Sequence, residues 1–364
     1  MTNKQIQKLK TPKLIQQIES TLQPLEFLDR CVKNYGDIFL TNSFGNLETL
    51  VVSHPLDIQE LFNPINKIID APGGANEIFK PHVGENSLMI QDGGHHQKQR
   101  KLVTPPFHGE RMLSYGHQIC EITQQVMQSL KPGKTFTARH ICEDITMTIM
   151  LKVVFGIDEV SKFEKLKSLM TAWLSLTSSP IGASVLLLPF LQKDLGAWSP
   201  WGKYRRLRQQ IDEQLMAEIL ERRKLVQSSN HHDILSLLTQ AEYNDGESMT
   251  DIELRDNLLT LLNAGHETTA TAVAWALYWI HQQPEVYHKV LQELQGLNTP
   301  DPVKISQLPY LTAVCQETLR IYPISVFTFP RITVRSVNLR EYHVAAGTYI
   351  TPCIYLTHHR EDLY

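Results

Sequence analysis

Residues 250–282 read TDIELRDNLLTLLNAGHETTATAVAWALYWIHQ, and the architecture of the chain follows most directly from this segment. Thr250 and Glu253 form the T-x-x-E pattern of a capping box, which predicts that a helix begins here. No proline follows until Pro284, so the helix is predicted to run for about thirty residues, or about 45 Å. Because residues 258–280 are apolar on nearly every face, we expect this helix to be surrounded by protein.

The middle of this helix is predicted to open. Thr268 lies four residues after Ala264, so its hydroxyl can bond to the Ala264 carbonyl and remove it from the helix ladder. Gly265 weakens the same turn. A freed carbonyl, a hydroxyl and the Glu267 carboxylate would then meet in an apolar interior, which suits a small polar ligand and a proton relay. The alternative is a capped polar group in a helical core, which the rarity of buried acids disfavours.

His266 and Glu267 also begin the H-E-x-x-H pattern of zinc hydrolases, in which two histidines four residues apart bind the metal. Position 270 is Ala270, so the second metal ligand is missing. A metal-dependent hydrolase is therefore disfavoured.

The composition of the chain limits its function class. Its 364 residues are 42% hydrophobic and 20% charged, which is typical of a globular protein. A net charge of -3 provides no overall positive field, so nucleic-acid binding is disfavoured. The N-terminus lacks the apolar run of a secretory signal, and the five cysteines are scattered, so we expect a cytoplasmic protein. The cysteines are Cys31, Cys120, Cys142, Cys315 and Cys353.

Outside the central helix, the pattern predicts a mainly α protein with a small β-sheet region. Residues 37–53 contain alternating and β-branched stretches around the turn-like residues 43–46, which predicts a hairpin. Helical periodicity follows from Pro55 onward. Residues 178–203 form an apolar connector that favours a lid or a surface in peripheral contact with a membrane. An ordinary core segment ended by prolines is the alternative for this connector.

Residues 233–277, which contain the motif AGHETT, resemble the oxygen-binding helix of cytochromes P450 and the approach to it. In that family the A-G-x-[DE]-T-[TS] pattern lies over the heme. The resemblance implies heme contacts for the first two residues of the motif, Ala264 and Gly265. The implied catalytic residues, which guide protons to iron-bound oxygen in the family, are Glu267 and Thr268.

Residues 308–323, LPYLTAVCQETLRIYP, are similar to the E-x-x-R helix of the same family. Glu317 and Arg320 are three residues apart on one helix face, so they are predicted to form an ion pair. The apolar residues around them predict that the pair is buried, where it must be satisfied geometrically. In the family this pair has a structural role.

Two further segments resemble cofactor-binding parts of the family. Residues 92–102, DGGHHQKQRKL, are similar to its D-G-x-x-H-x-x-x-R stretch, and His96 and Arg100 are four apart, so both can point toward one anion. The resemblance implies that this anion is a heme propionate; a solvated basic helix start is the alternative. Arg331, in the tripeptide FPR ahead of the HRE element at residues 359–361, resembles another propionate-binding arginine.

The resemblance implies a single cytochrome P450-like domain over residues 1–364. Its β-rich regions are expected at about 35–55 and 325–355, and its helical region at about 56–324. The F-x-x-G-x-x-x-C-x-G loop that carries the iron ligand in the family is not found before Tyr364. We therefore expect the fold to be incomplete at the C-terminus, truncated before this loop. No cysteine of the chain is assigned as a metal ligand.

The activity implied by the resemblance is that of a soluble bacterial monooxygenase of the fatty-acid-hydroxylating kind. Such an enzyme uses heme b (iron protoporphyrin IX) to insert one oxygen atom of O2 into a lipophilic substrate. Electrons from NAD(P)H are expected to arrive through a separate ferredoxin- or flavodoxin-type protein, because the chain has no glycine motif for a flavin or dinucleotide. As given, the chain is expected to be inactive. The alternative is a catalytically dead helical fragment or a heme-binding module.

Overall fold

A computed structural model describes residues 4–43, 47–177, 182, 185, 191–196, 198–225, 233–297 and 301–364. Within these ranges the protein is mainly helical with a small β-sheet, which confirms the predicted fold class. The predicted turn at residues 43–46 lies, except for Ser43, outside the described residues, and so does most of the connector at residues 178–203. Among the described residues, none of the helices has the length and apolar character that a membrane crossing requires.

The helices are α1 (Lys13–Leu22), α2 (Pro24–Tyr35), α3 (Pro55–Leu61), α4 (Lys80–Val83), α5 (Gly93–Val103), α6 (Glu110–Gln128), α7 (Ala138–Ile149), α8 (Val160–Thr177), α9 (Pro200–Leu225), α10 (Ile234–Gln240), α11 (Asp251–Gly265), α12 (Glu267–Gln282), α13 (Pro284–Gln295), α14 (Pro302–Ser306), α15 (Pro309–Ile321) and α16 (Ile354–His358). The strands are β1 (Gln7–Lys8), β2 (Ile38–Thr41), β3 (Thr49–Val52), β4 (Ile69–Asp70), β5 (Arg331–Thr333), β6 (Val337–Leu339), β7 (Tyr342–Val344) and β8 (Tyr349–Pro352). Two 3₁₀ segments, Gly73–Phe79 and Pro105–Phe107, and a π-helical turn, Met150–Val154, complete the regular structure of the described residues.

The chain divides into two compact units. The first combines Met1–Asn76 with Gln316–Tyr364, and the second is Glu77–Cys315. The first unit contains a six-stranded sheet in the order β1-β2-β3-β8-β5-β4 and a separate β6-β7 pair. Strands β2 and β3 pair antiparallel, with Ile38 opposite Val52, which confirms the strand pairing of the predicted hairpin.

Strand β3 lies inside the six-stranded sheet of the first unit, between β2 and β8. This strand reads Thr-Leu-Val-Val and is buried at every position, as expected for a short apolar run between two neighbouring strands. It pairs antiparallel with β2 on one side and parallel with β8 on the other. Leu50 and Ile350, which are register partners, are both fully buried in the core of this unit.

The second unit is helical and is organised around the predicted central helix. The helix begins with the predicted capping box, in which the Glu253 N–H donates to the Thr250 side chain and the Glu253 carboxylate accepts from the Thr250 N–H. Helix α11 ends at Gly265, His266 has φ −80° and ψ −73°, and α12 begins at Glu267. The predicted interruption of the helix is therefore confirmed.

The expectation that protein surrounds residues 258–280 is correct for residues 258–263, which are buried or half-buried, and wrong for Ala264 and for α12. In α12, all of which the structure describes, Ala270 is the one buried residue. The exposed fractions of Val273, Leu277 and Tyr278 are 41%, 36% and 47%. Helix α12 packs mainly on α7, and one such neighbour covers only one side of an all-round apolar helix.

Candidate functional site

The opening in the central helix has the hydrogen bond that the sequence predicts. The Thr268 hydroxyl donates to the Ala264 carbonyl four residues earlier. Both residues are exposed, so this side of the opening is accessible from outside the helix. A carbonyl bonded to a side chain near a helix break can hold a small polar molecule or pass a proton through the hydroxyl.

Gly265 serves close packing on the opposite side of the opening. A Cβ atom added at this position would lie 2.8 Å from the Met150 sulfur in the π-helical turn. Such a distance is too short for a real contact, so a larger residue would displace Met150 or the helix. The glycine therefore lets the broken helix approach the π-helical turn directly.

The Glu267 carboxylate does not join the opening. The Arg139 guanidinium on α7 donates to it at 3.0 Å and also donates to the Thr271 hydroxyl at 2.9 Å. The Glu267 side chain is 46% exposed. The expected meeting of the carboxylate with the hydroxyl in an apolar interior is thus wrong, because Arg139 holds Glu267 on the side of α12 that faces α7.

His266 occupies the break itself, and sequence reasoning used it only to reject a zinc site. His266 is 7% exposed, and its Nδ1 lies 2.8 Å from the Thr146 hydroxyl of α7. Burial lowers the pKa of His266 below its ordinary value, partly offset by Glu143. A neutral imidazole bonded to a hydroxyl therefore anchors the break to α7.

Three polar side chains of α11, which we call the polar stripe, hold a loop that sequence reasoning missed. They recur at helical spacing on a helix whose other buried residues are mostly leucines, and this spacing was the available signal. All three bond to residues 86–88. The bonds join Asp256 to the Asn86 N–H (2.9 Å), Asn257 to the Leu88 N–H (3.0 Å) and Thr260 to the Ser87 hydroxyl (2.6 Å).

The polar stripe also explains the glycine at the start of this loop. Gly84 has φ +93°, and a Cβ there would lie 2.2 Å from the Asp256 side chain. Asp256 itself is fully buried and pairs with Arg255 at 2.7 Å. The loop therefore depends on a buried, fully bonded carboxylate and on a residue that tolerates a left-handed backbone.

Helix α5 carries the two predicted anion-binding residues. His96 is half-buried and Arg100 is exposed. Arg100 lines a cleft of about 570 Å³ together with residues 97, 101, 104, 105 and 108. Within the described part of the chain, Arg100 has no carboxylate partner, so its charge is available to an anion. His95 points elsewhere, because its Nε2 lies 3.2 Å from the Glu253 carboxylate of α11.

Arg331 begins β5 in the first unit and is half-buried. Its guanidinium donates to the carbonyls of Phe329 and Pro330, both at 3.1 Å. No ion pair joins it to a carboxylate among the residues that the structure describes. Burial lowers the pKa of Arg331, and Asp70 offsets this only partly. A partly desolvated cation without a close counter-ion is a suitable partner for an anionic group such as a propionate.

Glu317 and Arg320 form the predicted ion pair, with bonds of 2.7 and 2.8 Å. The predicted burial is wrong, since the Glu317 side chain is 55% exposed and that of Arg320 is 21% exposed. Arg320 also donates to the His358 carbonyl at 2.8 Å, and its guanidinium lies 4.4 Å from the centre of the Tyr364 ring. The hydrogen bond from Arg320 lowers the pKa of Glu317.

Four of the five cysteines do not have the environment that favours an iron-binding thiolate. Burial raises the pKa of Cys31 and of Cys353 to about 12. Burial also raises the pKa of Cys142 and of Cys315. The thiolate is the metal-binding form, and a raised pKa disfavours it. No group of three or more His, Cys, Asp or Glu side chains within the described residues is arranged to hold a metal ion.

Comparisons with known proteins place these features in one family. A model of the family "Cytochrome P450" matches residues 13–364. The putative cytochrome P450 135B1 of Mycobacterium tuberculosis is 32% identical over 340 residues, which cover 93% of this chain and 70% of that protein. The putative cytochrome P450 137 of the same species is 29% identical over 338 residues, covering 92% and 67%.

A solved structure shares the fold. The retinoic-acid-bound cyanobacterial CYP120A1 matches with a TM-score of 0.81 and 22% sequence identity, covering 100% of this chain and 80% of that one.

Proposed function

The chain belongs to the cytochrome P450 family, whose members are heme monooxygenases, and we propose that its substrate is lipophilic, such as a fatty acid. The observation that supports monooxygenase chemistry in this chain is the interruption at His266, with the Thr268 hydroxyl bonded to the Ala264 carbonyl. The cyanobacterial relative is bound to retinoic acid, which is itself a lipophilic carboxylic acid and supports this substrate class.

The chain's own residues fit heme b as the cofactor. Arg331 is a partly desolvated cation without a described carboxylate partner, and Arg100 is an exposed one beside a cleft. Each offers a charge-assisted bond to a propionate, with His96 as a further donor. When bound, the heme supplies the iron at which O2 is activated. We also propose that Ala264 and Gly265 face the heme, as the resemblance of the AGHETT motif to the family pattern implies.

Proton supply is assigned to Thr268 and Glu267. Thr268 holds its hydroxyl proton at the Ala264 carbonyl, next to the break. Glu267 is partly exposed, so it can exchange protons with water, while Arg139 keeps its carboxylate in one position. A relay through these two groups requires water or a small shift of Glu267, because the two side chains lie on different sides of α12.

Electrons are proposed to come from NAD(P)H through a ferredoxin- or flavodoxin-type protein. The exposed Lys101 of α5 supports an acidic donor, because complementary charge accelerates encounter. A cytoplasmic location fits such a donor. Peripheral membrane contact at residues 178–203 also stays a proposal, since most of that segment lies outside the described residues.

A second candidate function has its own support. The raised pKa values of four cysteines argue against an axial thiolate from any of them. We therefore propose that residues 1–364 by themselves bind heme without a thiolate and are inactive as a monooxygenase. On this proposal the polypeptide acts as a heme-binding module, or as a dead helical fragment if it binds no heme.

Heme titration of the purified chain tests the second proposal and the heme binding that the first proposal requires. We expect stoichiometric binding and an absorption spectrum of the reduced, CO-bound protein without the thiolate-type Soret band. Arg331→Ala should weaken heme binding about tenfold. The matched control Arg335→Ala removes an exposed arginine of the same region, whose guanidinium bonds to the Asn66 carbonyl, and should leave affinity unchanged. A thiolate-type band would contradict the second proposal, and no heme binding would leave only the dead fragment.

A further inference from the structure

Helix α1 presents an apolar side to solvent. Its exposed fractions are large for residues of this type: 67% for Leu14, 43% for Ile15, 48% for Ile18 and 74% for Leu22. Leu25, at the start of α2, extends the row with 39%. We call these five residues the apolar stripe. Single exposed apolar residues are common, but a continuous row on one helix marks an interaction surface.

The orientation of α1 is fixed by its polar side. Gln16, a polar residue near the centre of the helix, is only 2% exposed. Its amide donates to the Thr11 carbonyl at 2.6 Å and accepts from the Thr41 hydroxyl at 3.0 Å and the Asn42 N–H at 2.9 Å. Rolling the helix to bury the apolar stripe would break these bonds and leave buried polar groups unpaired. The stripe therefore faces outward as a built feature of the fold.

The end of the stripe at the start of α1 is basic. Residues 4–25 contain four lysines and one acid, Glu19. Lys4 and Lys8 are ion-paired with Glu341 and Glu48, and the exposed Glu26 follows Leu25 at the other end of the stripe. The Glu19 carboxylate is already paired with Arg30 at 2.9 Å. Lys10 and Lys13 lie directly before the helix and in its first turn, and both are exposed. An apolar row with lysines at one end complements a surface that is apolar below and anionic above.

We propose that α1 docks the protein on an anionic lipid surface, with the apolar stripe entering the boundary between headgroups and acyl chains. Lys10 and Lys13 would lie among the lipid phosphates. The helix would lie in the membrane plane rather than cross the membrane. A protein partner is less suitable, because five partly exposed side chains, four on α1 and one at the start of α2, provide only part of the ~800 Å² per partner that a stable interface uses. The proposal does not depend on heme or on monooxygenase activity.

Vesicle sedimentation tests the proposal with the full chain. The probes are vesicles of phosphatidylglycerol and phosphatidylcholine in equal parts, and vesicles of phosphatidylcholine alone. We expect binding to the anionic vesicles that weakens with added salt. The double variant Leu14→Ser/Ile18→Ser should bind about tenfold more weakly, because two stripe side chains no longer enter the lipid. Lys10→Glu should weaken binding by about tenfold as well.

Matched variants separate this surface from general effects of polarity and charge. Val160→Ser changes an equally exposed apolar residue of α8, and Lys33→Glu makes the same charge change on α2. Both should bind within about twofold of the unchanged protein. All variants should keep their circular dichroism and melting temperature, because the changed side chains are exposed. Equal binding by stripe variants and controls, or a stripe-dependent dimer without vesicle binding, would overturn the proposal.

Discussion

Helices α11 and α12 come from one proline-free segment, yet they are buried to different extents. In α11, Leu254, Leu258, Leu259 and Leu262 are fully buried, and the polar stripe bonds to a neighbouring loop. In α12 a single residue, Ala270, is buried. A segment can be helical along almost its whole length, but which parts of it are buried depends on the partners that the fold supplies. The burial of α11 is fixed by specific hydrogen bonds as well as by apolar contact.

The largest effect is expected for Asp256 in the polar stripe. Asp256→Ala removes the partner of the Asn86 N–H and of Arg255, so buried polar groups lose their bonds. The free energy of unfolding should fall by about 3–5 kcal/mol in a urea titration. Asp256→Asn keeps an acceptor for the Asn86 N–H and should lose less. A loss below about 1 kcal/mol for Asp256→Ala would show that the polar stripe does not hold the loop at residues 86–88.

A pH-dependent effect of nearly this size is expected beside α11. His82 stacks on Trp173 at 4.0 Å, and its Nδ1 lies 3.0 Å from the Tyr204 hydroxyl. Burial lowers the pKa of His82 to about 4, whereas an unfolded histidine titrates near 6.5. The pKa of His82 is lower in the folded protein than in the unfolded chain, so folding is favoured when His82 is neutral. The contribution of His82 to the free energy of unfolding is therefore complete above about pH 6.5 and is lost as the pH falls toward 4.

The loss from His82 should reach about 3 kcal/mol, because each pKa unit is worth about 1.4 kcal/mol. The burial of His266 acts in the same direction. Urea midpoints measured between pH 7 and pH 4 would check the slope. His82→Phe keeps an aromatic ring against Trp173 but cannot be protonated, so its slope should be flatter. An unchanged slope in this variant would assign the acid sensitivity to other groups.

The junction between the two helices should tolerate size changes poorly. Gly265→Val places a side chain where a Cβ alone would lie 2.8 Å from the Met150 sulfur. We expect a loss of about 1–3 kcal/mol, from overpacking. The same substitution in a Met150→Ala background should cost less, because the space is vacated. Additive effects in this double-mutant cycle would contradict direct packing between the two positions.

The smallest effects are expected on the exposed side of α12. Val273→Ala and Tyr278→Ala remove side chains that are 41% and 47% exposed. Each should change the free energy of unfolding by no more than about 0.5 kcal/mol. Losses of about 2 kcal/mol or more, which are typical of buried positions, would show that α12 is as well covered as α11.

Local features of the central helix were predictable from sequence. The capping box at Thr250 and the bond from Thr268 to Ala264 connect residues three or four apart, so spacing alone specifies them. The pairing of Glu317 with Arg320 is predictable for the same reason. Their exposure was not predictable, because it depends on which other elements cover the helix.

The surroundings of the candidate site were less accessible to sequence reasoning. Glu267 is held by Arg139, which lies 128 residues earlier in the chain, and no local pattern links the two. The buried Gln16 reverses the usual rule for an amphipathic helix, because its bonds to Thr41 and Asn42 outweigh the gain from burying the apolar side. Long-range partners of this kind appear only when the elements are placed in space.

By itself the sequence determined the family, the helical class, the start and interruption of the central helix, and the pairing of β2 with β3. These features rest on local spacing and periodicity, which act within one or two turns of helix or one hairpin. The tertiary structure alone decided the burial of α11, the exposure of α12 and of the apolar stripe, and the partner of Glu267. Burial and ion pairing are properties of the whole packed unit, because they depend on which distant parts of the chain pack against a residue and remove it from water.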